Sequence, residues 1–318
     1  MRYGLKAIII LIILTIFTGC QSTIDNSDSR DKLNVVATIF PQYDFVRQIA
    51  GDNINLSMLL PPGSESHSYE PSPQDIIKIK NCDMFIYVGG ASDAWVDKIL
   101  ESIDTQSIKI VSLMDLVEAV EEKIVEGMEA DHDHGHDHEE EEHEYDEHVW
   151  TSPKNAMIIT EKISEMLCLM DSENSEIFKK NTQAYLDKLV VLDSEFEKTV
   201  NGAEQKTIVF GDRFPFRYFA DAYGLEYFAA FPGCSTETEA SAATVAFLID
   251  KIKAEKIPAV FHVELSNKKM ANTISEATGA KVLLFHACHN ITRDEMSAGV
   301  GYIDFMNGNL ESLKEAIY

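Results

Sequence analysis

Residues 172–200 run without a glycine or a proline, and Ile177, Tyr185, Leu189, Leu192 and Phe196 recur there near helical spacing. A helix of that length is on the order of 40 Å long, a rod able to cross two lobes, so the rest of the chain has to arrange itself along it. The same grammar occurs on both sides of this rod. Before it, short apolar runs at 34–40, 55–60, 83–88 and 108–113 alternate with helical patterns at 42–50, 72–80 and 92–102. After it, strand-like runs at 207–210, 226–231, 258–263 and 281–285 alternate with helical patterns at 214–223, 241–253, 267–278 and 301–316. The runs are rich in Val, Ile and Phe and bounded by Pro, Gly, Asn or charge, as buried strands are. Alternation at this density predicts an α/β chain. Two lobes are expected, each with a mainly parallel four-stranded sheet flanked by helices, joined by one long linking helix.

The N-terminus carries Arg2 and Lys6, then an apolar run at 7–17, then Thr18-Gly19-Cys20. This reads as a signal peptide, the apolar segment being short for an ordinary membrane span. Cys20 after Thr-Gly resembles a bacterial lipobox, with Cys20 lipidated and the mature chain extracytoplasmic, anchored to the cell membrane; an uncleaved anchor helix is the alternative. Residues 21–32 are polar and read as a tether. The expected divisions are therefore a signal peptide (1–20), the tether (21–32), an N-terminal lobe (33–171) with an insert at 127–147, the linking helix (172–200) and a C-terminal lobe (201–318).

That insert is the most unusual stretch. Six of the ten histidines are His132, His134, His136, His138, His143 and His148, interleaved with Asp and Glu. Such a tract has too little apolar surface to offset its ordering entropy. Neutral imidazole is a common ligand for zinc and similar ions, so the first five are read as auxiliary weak metal sites, against the bland readings of a solvated charged face or a tag. The formal net charge is -26, and residues 118–147 contribute fifteen acidic side chains against one lysine, so most of the charge belongs to one segment. Nucleic acid is an unfavourable partner for such a surface. Cys82, Cys168, Cys234 and Cys288 allow three disulfide connectivities, or free thiols.

In open α/β sheets, ligands bind beyond the carboxyl ends of the strands. Donors gather in those loops: His67 in the loop before Ser72-Pro73, His148 before Ser152-Pro153, His262 and Glu264 after one strand, and His286 and His289 after the last. Here the run GSESHSYEPSPQDI resembles the first ligand motif (G-x-x-x-H-x-Y-E-P) of the zinc- and manganese-binding lipoproteins that feed ABC importers, the high-affinity zinc-uptake binding protein family. YDEHVWTSPKNA resembles their second motif (D-P-H-x-W-x-S-P), and the acidic His-rich insert before it is typical of the zinc-type branch. The resemblance covers nearly all of residues 33–318. It implies two α/β lobes, a rigid helical backbone, one metal held between the lobes, and His67 and His148 as first-lobe ligands.

The second lobe departs from that pattern. Family members carry a histidine or glutamate one residue after the strand matching 208–210, where this chain has Gly211; near the last acidic ligand it has Phe285-His-Ala-Cys-His289. His286, or His289 as second choice, is expected to replace what Gly211 lacks, with room at Gly211 for an incoming imidazole. Glu65, Glu264, the other imidazole or water would complete the shell. Cys288 binding as thiolate, or pairing with Cys234, is the alternative, and Asp212 beside Arg213 reads as an ion pair or helix cap. An imidazole-dominated set favours zinc over manganese without excluding nickel, cobalt or copper. The expected function is a solute-binding lipoprotein, monomeric and not an enzyme, that delivers a divalent cation to an ABC permease and its ATPase. A surface adhesin or metal buffer without transport, and an extracellular zinc hydrolase, are the alternatives; no hydrolase motif appears.

Overall fold

The computed structural model describes residues 32–66, 68–128, 145–235 and 240–318. Cys20 and the leader, His67, and His132, His134, His136, His138 and His143 lie outside the described residues. In chain order the first half contains β1 (Asn34–Ala37), α1 (Phe40–Ala50), β2 (Asn55–Met58), α2 (Pro73–Lys80), β3 (Met84–Tyr87), α3 (Ala94–Ser102) and β4 (Lys109–Ser112). Two long helices follow, α4 (Pro153–Met170) and α5 (Ser175–Gly202). The second half contains β5 (Thr207–Phe214), α6 (Arg217–Tyr223), β6 (Glu226–Pro232), α7 (Ala242–Glu255), β7 (Ala259–His262), α8 (Lys269–Thr278), β8 (Lys281–Leu284), α9 (Arg293–Ser297) and α10 (Tyr302–Ile317).

The strands form two four-stranded sheets, ordered β2-β1-β3-β4 and β6-β5-β7-β8, with every pair parallel. The fold class is the one the alternation predicts. The two-residue period of a strand explains why continuous apolar runs suit these sheets: successive side chains feed opposite faces. Val35, Met84 and Ile86 enter a core shared with the rod, while Val36 and Phe85 enter a separate cluster with Ile79, Val96 and Ile99. In the second sheet Ile208, Phe210 and Phe261 face the shared core, and Val209 and Val260 pack with Leu248 and Ile274.

The rod, α5, buries Phe178, Thr182, Tyr185, Leu189, Leu192, Phe196, Thr199 and Val200, a three-four spacing that lays one stripe along one face. Ile177, counted with that stripe from sequence, is instead 45 % exposed, and Phe178 takes the inward position. A second difference lies in β5, which was expected to end at Phe210. It resumes pairing with β6 at Arg213 and Phe214 after a register shift at Gly211 and Asp212, a bulge of the kind that turns a strand end toward a site.

Candidate metal centre between the lobes

The loop that carries position 67 is held at both ends. Ser72 and Asp75 form a reciprocal capping box at the start of α2, and the Tyr69 hydroxyl donates to Asp75 Oδ2 at 3.1 Å. On its other side the Gly63 amide donates to the Ile291 carbonyl at 2.9 Å, and Asn290 Nδ2 donates to the carbonyls of Pro61 (2.9 Å) and Ser64 (2.7 Å). The first-lobe loop is thus sewn directly to the second-lobe loop bearing His289.

His148 is fully buried. Its main-chain amide and its Nδ1–H both meet Asp146 Oδ1, at 2.8 and 2.9 Å. Burial pushes this ring down, yet the carboxylates of Asp146, Glu147 and Glu122 outweigh it and hold the pKa above its ordinary value. Gly233 passes so close that a Cβ there would sit 2.9 Å from His148 Cε1; only glycine allows this approach. The stem of the insert fixes the same region. The Asp146 amide donates to the Val120 carbonyl, the Tyr218 hydroxyl donates to the Asp146 carbonyl at 2.7 Å, and Glu122 accepts from the Gly233 amide at 2.8 Å.

His289 reaches this place from the opposite lobe. Its ring centroid lies 4.8 Å from that of His148, with planes at 78°, and Trp150 borders both rings at 5.2 and 5.5 Å. Trp150 is pinned by an indole bond to the Ala287 carbonyl at 2.7 Å. Burial lowers the His289 pKa, and the charges of His148 and Arg213 add to that against the pull of Glu264. Beside the two rings lies a cavity of about 20 Å³, lined in part by Ser66, Arg213, Glu264 and His289.

His286 has a different setting. Its ring stacks on Phe305 of α10, 3.8 Å apart at 13°, its Nδ1 accepts the Cys288 amide at 3.0 Å, and its backbone is bracketed by Asn309 at 2.6 and 2.8 Å. So the fold brings His148 and His289 together and seats His286 against the C-terminal helix. Glu264 is buried; burial would raise its carboxyl, but His286 and His289 beside it and its main-chain bonds hold it well below the ordinary carboxylate range.

Gly211 borders a cavity of about 180 Å³ whose lining among the described residues includes no histidine, while the direction its own side chain would take is closed. A Cβ there would lie 2.7 Å from the Ala271 Cα of α8, so the helix backbone fills the place a side chain would need. Asp212 accepts the amides of Arg213 and Val263, at 2.9 and 3.2 Å, and Arg213 pairs with Glu65 across the lobes at 3.2 Å. Asp212 thus ties strand ends together, and the ion pair of Arg213 is with Glu65.

Cys82, Cys168, Cys234 and Cys288 are all free thiols. Glu147, His148 and Cys234 bring ligand atoms within 4.8 Å of one another, a cluster that sequence reasoning missed. Glu147 next to His148 is visible in the sequence, but Cys234 arrives from the second lobe. Burial and the carboxylates of Glu147, Glu122 and Asp146 push its thiol up, and Glu147 already accepts from the amide of Ser92 at 3.0 Å.

The chain is similar to several known proteins. The zinc-binding lipoprotein AdcA of Streptococcus pneumoniae is 36% identical over 287 residues, covering 89% of this chain and 56% of that protein. This chain thus spans little more than half the length of that relative. The high-affinity zinc uptake system protein ZnuA of Bacillus subtilis is 34% identical over 316 residues, 99% of this chain and 97% of that one. The crystal structure of the Zn(II)-bound ZnuA-like domain of S. pneumoniae AdcA superposes with a TM-score of 0.73 at 32% identity, over 90% of this chain and 99% of that domain. The names of these relatives are those of zinc-binding and zinc-uptake proteins. The family model for ZnuA, "Zinc-uptake complex component A periplasmic", matches residues 35–316, and the chain belongs to that family.

Proposed function

We propose that this chain is the extracytoplasmic solute-binding lipoprotein of a metal ABC importer, anchored through Cys20, that captures one zinc ion between its lobes and passes it to a permease and its ATPase. The observation that carries the reading is the meeting of His148 and His289 from opposite lobes, ring centroids 4.8 Å apart. Asp146 on Nδ1 of His148 turns Nε2 toward the ion, the carboxylate–histidine arrangement common at zinc sites. His67 joins them from the loop sewn to Asn290 and Ile291. His289 is the second-lobe ligand in preference to His286, which is stacked on Phe305. Three imidazoles favour zinc over manganese, and the names of the relatives point the same way. The histidines of the insert serve in this reading as weak, exchangeable zinc sites.

Competitive titration of zinc against a chelator tests the assignment. Mature protein should bind one ion tightly, and His148→Ala and His289→Ala should each weaken it by roughly tenfold or more, the order expected for losing one inner-sphere bond. His286→Ala should weaken it less. Undiminished affinity in both of the first two variants would remove the pair from the site.

A further inference from the structure

Glu264 follows β7 and sends its carboxylate under the loop that carries His289. Oε2 accepts the Ala287 amide at 2.7 Å and Oε1 accepts the His289 amide at 2.9 Å. The residue between them, Cys288, has φ 61°, a left-handed conformation that a non-glycine residue adopts only where its surroundings impose it. The carboxylate grips the chain on both sides of that residue. The reversal at Cys288 separates two imidazoles only three positions apart: His286 turns to Phe305 and His289 to His148. Glu264 Oε1 also lies 3.7 Å from Nδ1 of His289, on the opposite ring edge from Nε2. His148 has a carboxylate at the same edge, from Asp146. Both facing rings thus have a carboxylate on the Nδ1 side, hydrogen-bonded to His148 at 2.9 Å and near His289 at 3.7 Å, where it is equally near Nδ1 of His286.

We propose that Glu264 is the positioning residue of the second-lobe ligand: it binds no metal, but fixes the backbone reversal at Cys288 and the orientation of His289, so that a ligand absent from Gly211 is supplied from the last loop instead. Both carboxylate oxygens are engaged by main-chain amides, which argues against a direct bond to the ion. This deepens the zinc-capture reading and rests on His289 being a ligand.

The test is a double-mutant cycle on the full mature chain, with zinc affinity read by chelator competition and fold by circular dichroism. Glu264→Gln should weaken zinc by ~10- to 100-fold, as losses of such outer carboxylates do, and should add nothing further in a His289→Ala background. The cobalt(II) visible spectrum of Glu264→Gln should shift toward that of His289→Ala. Equal losses from Glu264→Gln in both backgrounds would mean that it binds metal itself or acts on the lobe as a whole, and unchanged affinity and spectrum would exclude any role. If Glu264→Gln does not fold, Glu264→Asp keeps the charge, withdraws it by one methylene, and is read in the same cycle. Full zinc affinity in His289→Ala alone would instead sink the ligand assignment, whatever Glu264 does.

Discussion

At the residue scale, the informative positions are those where a side chain is missing or turned. Gly211 stands where the motif resemblance implies a donor, and Ala271 of α8 presses its backbone to 2.7 Å of where a Cβ would be. Restoring a side chain there should therefore cost stability rather than rebuild a site. Gly211→Ala is expected to destabilise the protein by ~1–3 kcal/mol through overpacking, read as a lower midpoint in chemical denaturation; an unchanged midpoint would show that α8 moves aside freely. His148 was legible as a ligand candidate because its neighbours form a recognisable run. Which of His286 and His289 faces His148 was not, because it depends on one left-handed residue, Cys288, that no local sequence rule requires. Cys234 and Glu122 were invisible for another reason: they meet His148 only through contacts more than twenty residues away in the chain.

At the scale of elements, strands and helices were readable from periodicity, since two fully covered sheets demand continuous apolar runs and the rod demands three-four spacing. Ends and phases were less readable. β5 continues past Gly211 because Arg213 and Phe214 recover pairing with Phe231 and Pro232, an interaction set by the neighbouring strand. The stripe on α5 is anchored by Phe178 and not by Ile177, two adjacent apolar residues whose phase only packing decides. This leads to a paired expectation. Phe178→Ala should lower unfolding free energy by ~3–5 kcal/mol, as for other fully buried aromatics, whereas Ile177→Ala should stay within about 0.5 kcal/mol. Comparable losses in the two variants, measured by urea titration, would refute the assigned phase.

At the scale of the whole molecule, the lobes are not separate bodies on a stick. One core runs through both and the rod. Direct bonds also cross between the lobes: Tyr302 Oη to the Trp150 carbonyl at 2.8 Å, the Tyr302 amide to Asp44 at 2.7 Å, and Arg47 to the Val300 carbonyl at 3.1 Å. Residues 129–144 of the His-rich insert carry no apolar side chain larger than that of Ala130. Replacing residues 129–144 with a short Gly-Ser linker should leave the fold and the single tight zinc site intact while abolishing extra zinc uptake in excess metal; loss of the tight site in a zinc titration would place a ligand inside the insert. The stitching between the loops at 61–64 and 289–291 has a consequence for any acceptor of the ion. With these loops bonded to each other, loading is expected to change the outline of the molecule little, so that zinc-free and zinc-loaded protein should give nearly the same small-angle scattering profile; a clear shift in radius of gyration would refute this. A dication bound behind the Arg213–Glu65 pair would repel the guanidinium and attract the carboxylate, an electrical message written on one partly buried and one exposed side chain.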